Sequence, residues 1–387
     1  MVYIHIPFCG SFCTYCGFYS EITVGDCFSG YGAALREEIL SRRDELSGEP
    51  HTIYVGGGTP SLMPPDALAP AVWAVRTACG SREDTAPVEF TMEVNPEDIV
   101  SKGKAYLSDL LGLGVNRVSM GVQSFDDGML GWMKRRHSSA TAVKAYGMLR
   151  DAGFRNISID LIFGISHMDD GMWLKTLDMA LDLAPQHISA YQLSVEPGSA
   201  LAAMADSGKY SEAPGEQCRR QYDILCRRLS DAGYHHYEIS NFALPGFEAV
   251  HNSAYWGHVP YAGFGPGAHS LRVKEGSLPE GLPACTRSWN IPDVREYLRC
   301  YSSQGPSRSS VSQCETLSAG QVALERIMLG LRTDRGVERG FLERHADRAR
   351  LAAMLSEGLL VPAQDPLYVR IPEDSFFISD SIIADIV

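Results

Sequence analysis

Short apolar runs alternate with longer periodic segments in the first half of the chain, and this alternation constrains the fold more than any other feature. The apolar runs predict buried strands at 2–8, 52–55, 88–94, 116–122, 156–163 and 187–195. The segments between them have helical periodicity, at 31–46, 66–78, 103–113, 138–152 and 170–184. Strand and helix in repeated alternation predict an α/β fold with a parallel sheet covered by helices. Six such units within residues 1–200 suit an open parallel (β/α)6-type barrel better than a closed eightfold one.

The pattern changes after residue 200. Residues 201–273 contain a long amphipathic helix at 214–231, a strand at 234–241 and a glycine- and aromatic-rich stretch, and we predict that they complete the barrel. Residues 274–316 are rich in Ser, Pro and Gly, which predicts a linker or loop region. Residues 317–387 contain two helical segments and a short pair of strands, which predicts a C-terminal α+β domain of the winged-helix-like type.

Charge and cysteine content narrow the classes of partner and compartment. The 387 residues carry a net charge of −13, which disfavours nucleic acid as a partner because like charges repel. The sequence shows no signal peptide and no apolar run of transmembrane length, so we expect a cytoplasmic protein. In that compartment its ten cysteines should be reduced thiols or metal ligands.

Three of these cysteines, Cys9, Cys13 and Cys16, form a C-x3-C-x2-C pattern directly after the first predicted strand. This is the carboxyl end of the strand, where parallel barrels hold their catalytic groups. A structural zinc site needs four ligands, and the sequence offers no fourth one nearby. Three thiolates on a 4Fe–4S cluster leave one iron open to a further ligand, much as a catalytic zinc keeps an open position. The pattern therefore favours the cluster, with zinc as the lesser alternative.

Polar residues follow the later predicted strands in the same way. GGGTP at 56–60 follows the second strand and exposes backbone groups to close approach. Glu93 ends the third strand, Gln123 follows the fourth with Arg135 twelve residues later, and Asp160 lies within the fifth. Each residue alone is consistent with a turn or a helix cap. One polar residue at each successive strand end predicts a convergent site.

The motifs together resemble the radical S-adenosylmethionine (SAM) superfamily, and within it the branch of the oxygen-independent coproporphyrinogen III dehydrogenases and the HemW-type heme chaperones. The resemblance covers nearly the whole chain, through YIHIPFC, GGGTP, NRVSMGVQSF, DLIFG, YEISNFA, HNSAYW, GAHS and FISDSII. It implies that SAM occupies the open iron and that an electron from the cluster cleaves SAM. The SAM contacts that it implies are Tyr3, Tyr15, Gly57, Gly58, Thr59, Glu93, Gln123, Arg135 and Asp160, with Ser194 as a weaker candidate.

Two features near the amino terminus resemble the chaperone branch more than the dehydrogenase branch. Phe18 stands two residues after Cys16, where the dehydrogenase motif carries a further cysteine. Only Met1 and Val2 precede Tyr3, whereas the dehydrogenases carry a substantial extension there.

The segment HNSAYW at 251–256 fits the H-N-x-x-Y-W pattern of the chaperones, which implies that His251 binds heme. A neutral imidazole is a good axial ligand for heme iron, and aromatic neighbours suit a flat macrocycle. His258 and His269 lie in the same stretch and are the alternative ligands. The competing interpretation is that His251 caps a turn and that its aromatic neighbours belong to the core.

The resemblance implies a heme chaperone that binds heme, carries a SAM-liganded 4Fe–4S cluster and delivers heme to an acceptor protein that the sequence does not identify. It also implies an electron donor for the cluster, and peripheral contact with the acceptor where that acceptor is membrane-bound. One alternative is an oxygen-independent coproporphyrinogen III dehydrogenase, which oxidatively decarboxylates propionates. Another is a radical SAM enzyme that acts on an unrelated substrate. Whether the protein is an enzyme is left open.

Three positions depart from the family pattern. ISHMDD at 165–170 replaces the usual Leu-Pro turn after DLIFG. Lys134 replaces the usual glycine before the arginine, and Gly17 replaces a common acidic residue after the third cysteine. We expect these departures to change the shapes of local loops rather than the cluster.

Overall fold

The computed structural model describes residues 1–22, 27–46, 52–80, 87–274, 276, 278, 281–301 and 312–387. Across these ranges short strands alternate with helices. The strands are β1 (Val2–Ile6), β2 (Phe8–Cys9), β3 (Glu21–Ile22), β4 (Thr52–Gly57), β5 (Glu89–Val94), β6 (Arg117–Gln123), β7 (Asn156–Phe163), β8 (His187–Gln192), β9 (His235–Glu238), β10 (Asn241–Ala243), β11 (Ala262–Phe264), β12 (His269–Lys274), β13 (Ala284–Asn290), β14 (Ser312–Thr316), β15 (Val337–Glu338), β16 (Val361–Pro362) and β17 (Tyr368–Arg370). The helices are α1 (Phe28–Ser41), α2 (Pro65–Ala78), α3 (Pro96–Leu113), α4 (Asp127–Trp132), α5 (Ser139–Ala152), α6 (Asp170–Asp182), α7 (Ala200–Asp206), α8 (Gly215–Asp231), α9 (Val250–Trp256), α10 (Val294–Cys300), α11 (Ala319–Gly330), α12 (Arg339–His345), α13 (Arg348–Glu357) and α14 (Ser379–Ile386).

A nine-stranded sheet forms the body of the protein, in the order β11-β1-β4-β5-β6-β7-β8-β10-β9. Neighbouring strands are parallel from β11 to β8, and β10 and β9 are antiparallel. The six strands predicted from the apolar runs are β1 and β4 to β8, and they lie side by side in chain order. The open parallel barrel is therefore confirmed. The strand β11 extends it beyond β1, and its three residues are too short a run to be recognised in the sequence.

The two faces of this sheet differ in polarity because successive strand residues point to opposite sides. The face under the helices carries buried apolar side chains such as Ile4, Val55 and Met92. The inner face carries mostly polar side chains, which include Tyr3, His5, Thr52, Tyr54, Thr91, Glu93, Arg117, Ser119, Ser158, Asp160, His187 and Ser189. The barrel interior is thus a polar chamber rather than an apolar core.

Three of the helices that follow strands, α3, α5 and α6, begin at polar caps. The side chain of Asn95 accepts a hydrogen bond from the backbone N–H of Glu97 at the start of α3. Ser138 and Asp169 cap α5 and α6 in the same way. Because the cap supplies a partner for an otherwise free backbone N–H, each of these three turns uses one polar residue structurally. In EVNPE the capping residue is Asn95, and the Glu93 side chain faces the barrel interior.

A buried carboxylate, that of Glu38 in α1, ties the barrel together where the chain returns to its first strand. It accepts hydrogen bonds from Arg42 at 2.7 Å, from Tyr297 at 2.7 Å, from Asn290 at 2.8 Å and from the backbone N–H of Gly265 at 2.8 Å. Glu38 is fully buried, and its partners come from α1, β13, α10 and the turn after β11. These contacts fasten β11 beside β1.

The segment 274–316 is not the linker or loop region that the sequence predicts. Within its described residues it contains β13, α10 and β14, and β12, β13 and β14 form an antiparallel sheet. The Ser, Pro and Gly content obscured the strand β13, in which Cys285 is buried and Trp289 pairs with His269. Cross-strand pairing is a long-range contact, which composition does not reveal.

The C-terminal segment contains a second small antiparallel sheet, β15-β17-β16, together with α11 to α14. It covers the end of the main sheet, since the backbone N–H of Ile239 donates to the carbonyl of Arg332 at 3.2 Å and that of Asp334 donates to Tyr237 at 3.0 Å. An exposed edge strand is an aggregation hazard, and these contacts protect the edge formed by β9. None of the helices in the described ranges combines the length and the apolar character that crossing a bilayer requires.

Replacement of Glu38 by Ala should lower the free energy of unfolding by about 3–5 kcal/mol, because it leaves the Arg42 guanidinium buried without its carboxylate partner. Urea unfolding followed by circular dichroism measures this loss. The matched control is Glu37→Ala, at an exposed neighbouring position, which should change stability by less than about 0.5 kcal/mol. Equal effects of the two substitutions would show that the buried network does not stabilise the barrel.

Candidate cluster and cofactor site

The loop that carries Cys9, Cys13 and Cys16 lies at the carboxyl end of β1 and is anchored on both sides. The backbone N–H of Thr14 donates to the carbonyl of Met133 at 3.1 Å, and its carbonyl accepts from Leu201 at 2.8 Å. Its hydroxyl donates to the carbonyl of Trp132 at 2.8 Å. Cys9 is buried, whereas Cys13 and Cys16 are partly exposed, and all three are free thiols. These contacts fix the loop at Thr14, the residue that follows Cys13.

Two donors reach the sulfurs. The guanidinium of Arg135 donates to Cys13 Sγ at 3.3 Å, and the hydroxyl of Thr59 donates to Cys9 Sγ at 3.6 Å. Burial raises the pKa of the Cys16 thiol, and the neighbouring Cys13 and Cys9 raise it further, against a lowering by Arg135. A fixed positive charge beside thiols favours the thiolate that binds metal.

The GGGTP turn packs against this loop so closely that two of its positions, Gly57 and Gly58, have no room for a side chain. A Cβ on Gly58 would lie 2.8 Å from the carbonyl oxygen of Phe8 and 3.0 Å from Cys9 Sγ. Gly57 has a φ of +117°, and a Cβ there would lie 2.7 Å from the His5 ring. These two glycines therefore let the backbone approach the space in front of Cys9.

The three cysteines suit a cluster better than a single ion. Among the residues that the structure describes, no group of three or more His, Cys, Asp or Glu side chains is arranged to hold one metal ion. Zinc needs four ligands around one point. A 4Fe–4S cluster is instead held by thiolates on different irons, so its ligands need not converge to one point. The partly exposed loop, its three thiols and the adjacent guanidinium fit that group.

Across the chamber, Glu93 presents a carboxylate to the same space. Its two oxygens accept from the Tyr54 hydroxyl at 2.8 Å and from the backbone N–H of Gly57 at 3.1 Å. Burial raises the pKa of Glu93 to about 7, and Asp160 raises it further while the two hydrogen bonds lower it. A carboxylate held in this way is stabilised by a cation that enters the chamber.

Asp160 is the second carboxylate of the chamber. It accepts from the Ser119 hydroxyl at 3.0 and 3.1 Å and from the Ser158 hydroxyl at 3.3 Å. Burial raises its pKa, and these serine hydroxyls and Arg117 oppose that rise. Two carboxylates in one enclosed space disfavour each other's ionisation, which strengthens the demand for a positive ligand.

Two residues near Arg135 adopt backbone conformations that are unusual for residues other than glycine. Gln123 has a φ of +71° and lies at a register irregularity between β6 and β7. Lys134 has a φ of +56°, a value that glycine adopts at no steric cost. This explains why a glycine is usual in the family at that position. Strain of this kind persists where the surrounding structure holds it, and it often marks functional sites.

The remaining predicted contacts lie around these groups. The Tyr3 hydroxyl is hydrogen-bonded to His5 Nδ1 at 2.9 Å, and the Tyr3 ring stacks on Tyr54 with centroids 6.1 Å apart. Burial raises the pKa of Tyr15, which lies close to Arg135. Ser194 lies in the loop after β8, where its hydroxyl donates to Glu196 at 2.5 Å. Gly58, Thr59 and Arg135 thus lie against the cysteine loop, whereas Tyr3, beside Tyr54, and Asp160, within β7, lie deeper inside the barrel.

His251 is not brought to this end. It lies in α9 at the amino ends of the strands, where the backbone N–H groups of Val250 and His251 donate to Glu89 at 2.7 and 3.2 Å. Its imidazole is fully buried, with Nδ1 hydrogen-bonded to Thr52 at 2.8 Å and Nε2 to Tyr255 at 3.0 Å. Burial lowers its pKa to about 3, so the ring is neutral. With both ring nitrogens engaged, His251 cannot ligate heme iron in this conformation.

The interior also contains polar residues that reasoning from strand ends missed, namely His5, Arg117 and His187. They lie inside or at the start of strands rather than after them. Their signal in the sequence is a polar residue at every second position, as in RVS at 117–119 and HIS at 187–189. The apolar residues between them predict a buried strand, and this stronger signal hides the alternation of the polar residues.

Comparisons with known proteins agree with this geometry. The radical SAM superfamily model matches residues 3–180. The heme chaperone HemW of Bacillus subtilis is 34% identical over 87% of this chain and 84% of its own length. HemW of Mycobacterium tuberculosis is 33% identical over 93% of this chain and 88% of its own length.

A solved structure of coproporphyrinogen III oxidase (HemN) from Escherichia coli superposes with a TM-score of 0.78. It covers 99% of this chain and 89% of that chain at 20% sequence identity, which shows a common fold. The similarity to the HemW proteins extends over most of both sequences. This chain therefore belongs to the HemW family of the radical SAM superfamily.

Proposed function

We propose that this protein is a heme chaperone, which binds heme and delivers it to an acceptor protein. The observation that carries the proposal is the identity of 34% with the heme chaperone HemW of Bacillus subtilis over 84% of that protein. Membership of the radical SAM superfamily implies a 4Fe–4S cluster and SAM. The proposal includes two protein partners, an electron donor for the cluster and a heme acceptor, and a cytoplasmic location. It extends to peripheral contact with the acceptor where that acceptor is membrane-bound.

In this proposal Cys9, Cys13 and Cys16 hold the cluster. Their common loop, its anchors at Thr14 and the donor on Cys13 support the assignment. Cluster and SAM together supply one-electron chemistry when bound. The chain's own contribution is to hold three thiolates in place and to leave room in front of them, which Gly58 keeps free of side-chain atoms.

The SAM pocket in this proposal lies between the cysteine loop and the two carboxylates. Glu93 binds the ammonium group, Asp160 accepts hydrogen bonds from the ribose hydroxyls, and Arg135 pairs with the methionyl carboxylate. The wall around them consists of Tyr3, Tyr15, Gly57, Gly58, Thr59 and Gln123. The raised pKa of Glu93 supports this assignment because a buried carboxylate favours a cationic ligand.

Heme binding at HNSAYW needs either a movement of α9 or a different imidazole. Iron can bind His251 only after its contact with Thr52 or Tyr255 breaks. His258 is hydrogen-bonded to Glu325 at 3.1 Å. The exposed ring of His269 stacks on Trp289 with centroids 5.8 Å apart, and its nitrogens have no hydrogen bond within the described residues. We therefore propose His269 as the imidazole that iron reaches without rearrangement.

Replacing Cys9, Cys13 or Cys16 singly by Ala should remove most of the iron that the protein takes up during anaerobic reconstitution, because a cluster on two thiolates is poorly held. Iron and sulfide content measure this loss. Cys314→Ala is the matched control, since Cys314 is exposed on β14. Full iron content in two of the three single variants would contradict the assignment.

SAM binding should weaken as the pH falls below about 7, the pKa of Glu93 in the free protein. Protonation removes the negative charge that attracts the ammonium group, so affinity should fall up to about tenfold per pH unit below this value and stay level above it. Equilibrium dialysis of cluster-loaded protein measures the affinity. Glu93→Gln should bind SAM weakly and should lose this pH dependence. An unchanged pH profile in Glu93→Gln would refute the role of Glu93.

Heme titration followed at the Soret band tests the chaperone proposal and the ligand together. His269→Ala should shift the Soret band and weaken heme binding, whereas His251→Ala should leave the band in place. His167→Ala is a matched control, because His167 is another exposed imidazole beside a tryptophan. A shift in His251→Ala alone would instead show that α9 moves. Absence of heme binding, with SAM-dependent release of carbon dioxide from coproporphyrinogen III, would favour the dehydrogenase alternative.

A further inference from the structure

A chain of hydrogen bonds crosses the barrel interior and ends at the Asp160 carboxylate. The backbone N–H of Ala249 donates to the Tyr237 hydroxyl oxygen at 3.2 Å. That hydroxyl lies 2.7 Å from His187 Nε2, and His187 Nδ1 lies 2.8 Å from the Ser158 hydroxyl. The Ser158 hydroxyl in turn donates to Asp160 at 3.3 Å. Four contacts thus link Ala249, the residue that precedes α9, to the proposed SAM pocket.

The direction of these bonds follows from the partners available. The Tyr237 oxygen accepts from Ala249, and within the described residues the acceptor in reach of its own hydrogen is His187 Nε2. That nitrogen must then be the unprotonated one, and the proton lies on Nδ1. His187 Nδ1–H therefore donates to the Ser158 oxygen, which leaves the Ser158 hydrogen for another acceptor. Ser189 Oγ at 3.4 Å and Asp160 at 3.3 Å are both in reach, and the charged carboxylate is the stronger acceptor of the two. The opposite direction would leave the Tyr237 hydroxyl without an acceptor.

The surroundings of His187 keep it in this state. The side chain is fully buried. Burial lowers its pKa well below the ordinary value, and Arg117 lowers it further, so the imidazole is neutral. A neutral imidazole has one donor and one acceptor, which matches its two contacts.

We propose that His187 is a positioning residue for SAM binding: it turns the Ser158 hydroxyl toward Asp160 and so holds that carboxylate ionised and oriented. This inference rests on the proposed contact between Asp160 and SAM. A Ser158 that is not held by His187 Nδ1–H can turn its own hydrogen toward the imidazole instead. Asp160 would then lose one of its donors in an enclosed chamber. Because the chain of hydrogen bonds starts at Ala249, the cap residue of α9, it also connects the HNSAYW helix to the proposed SAM pocket.

Two amide substitutions separate the two contacts of His187. In His187→Asn the amide N–H occupies the position of Nδ1 and can still donate to Ser158. In His187→Gln the longer amide occupies the position of Nε2, so it keeps the contact with Tyr237 and loses that with Ser158. Both variants are neutral and polar, so they differ chiefly in which hydrogen bond survives.

Equilibrium dialysis of SAM against cluster-loaded protein measures the effect, with iron content and thermal unfolding recorded for each variant. SAM binding should weaken about three- to tenfold in His187→Gln, the loss expected for one hydrogen bond, and should stay near that of the parent in His187→Asn. Ser158→Ala should behave like His187→Gln, and it tests the same step if a His187 variant does not fold. Iron content should be unchanged in all three variants.

Asp160→Asn separates failure of this inference from failure of the proposed pocket. If Asp160→Asn weakens SAM binding while the two His187 variants bind SAM equally, His187 has only a structural role and the positioning inference is overturned. If Asp160→Asn binds SAM as the parent does, the proposed contact at Asp160 is itself wrong, and the inference falls with it.

Discussion

The buried carboxylate of Glu38 is the interaction on which the barrel depends. A carboxylate in a fully buried position is tolerated only when hydrogen bonds and an opposite charge replace its water, and here four donors, one of them the Arg42 guanidinium, do so. The donors come from segments that are far apart in the sequence, so the carboxylate has its partners only when the chain has returned to β1. This contact holds β11 beside the strand that leads into the cysteine loop.

The polar chamber inside the barrel follows from that closure. Apolar residues on the outer side of the strands pack under the helices, and the alternate residues must then face inward together. Glu93 and Asp160 share this space, which makes their ionisation costly until a cation arrives. The cost is offset in part by hydrogen bonds from Tyr54, Gly57 and the serines. A cationic cofactor that binds between the carboxylates and the cysteines would relieve the remainder.

The HNSAYW segment encloses His251 at the amino ends of the strands. It forms the floor of the chamber, and Glu89, Thr52 and Tyr255 hold His251 there with its nitrogens turned inward. The end of the barrel that carries the cysteines is also the end with the exposed Phe18, whose ring is 76% exposed. The cluster loop and the motif helix thus lie at opposite ends of one chamber, and the interior hydrogen bonds are the physical connection between them.

The sequence by itself determined the class of fold, the six parallel strands, the cysteine ligands expected for a cluster and the strand-end carboxylates. These depend on short-range spacing and on the alternation of apolar residues, which are properties of neighbouring positions. Only the tertiary structure decided that 274–316 contains β13, α10 and β14, that β11 completes the sheet, that His251 is enclosed and that His187 reaches Ser158. Each of these depends on residues that are distant along the chain, because burial and hydrogen-bond partners exist only after the strands have come together.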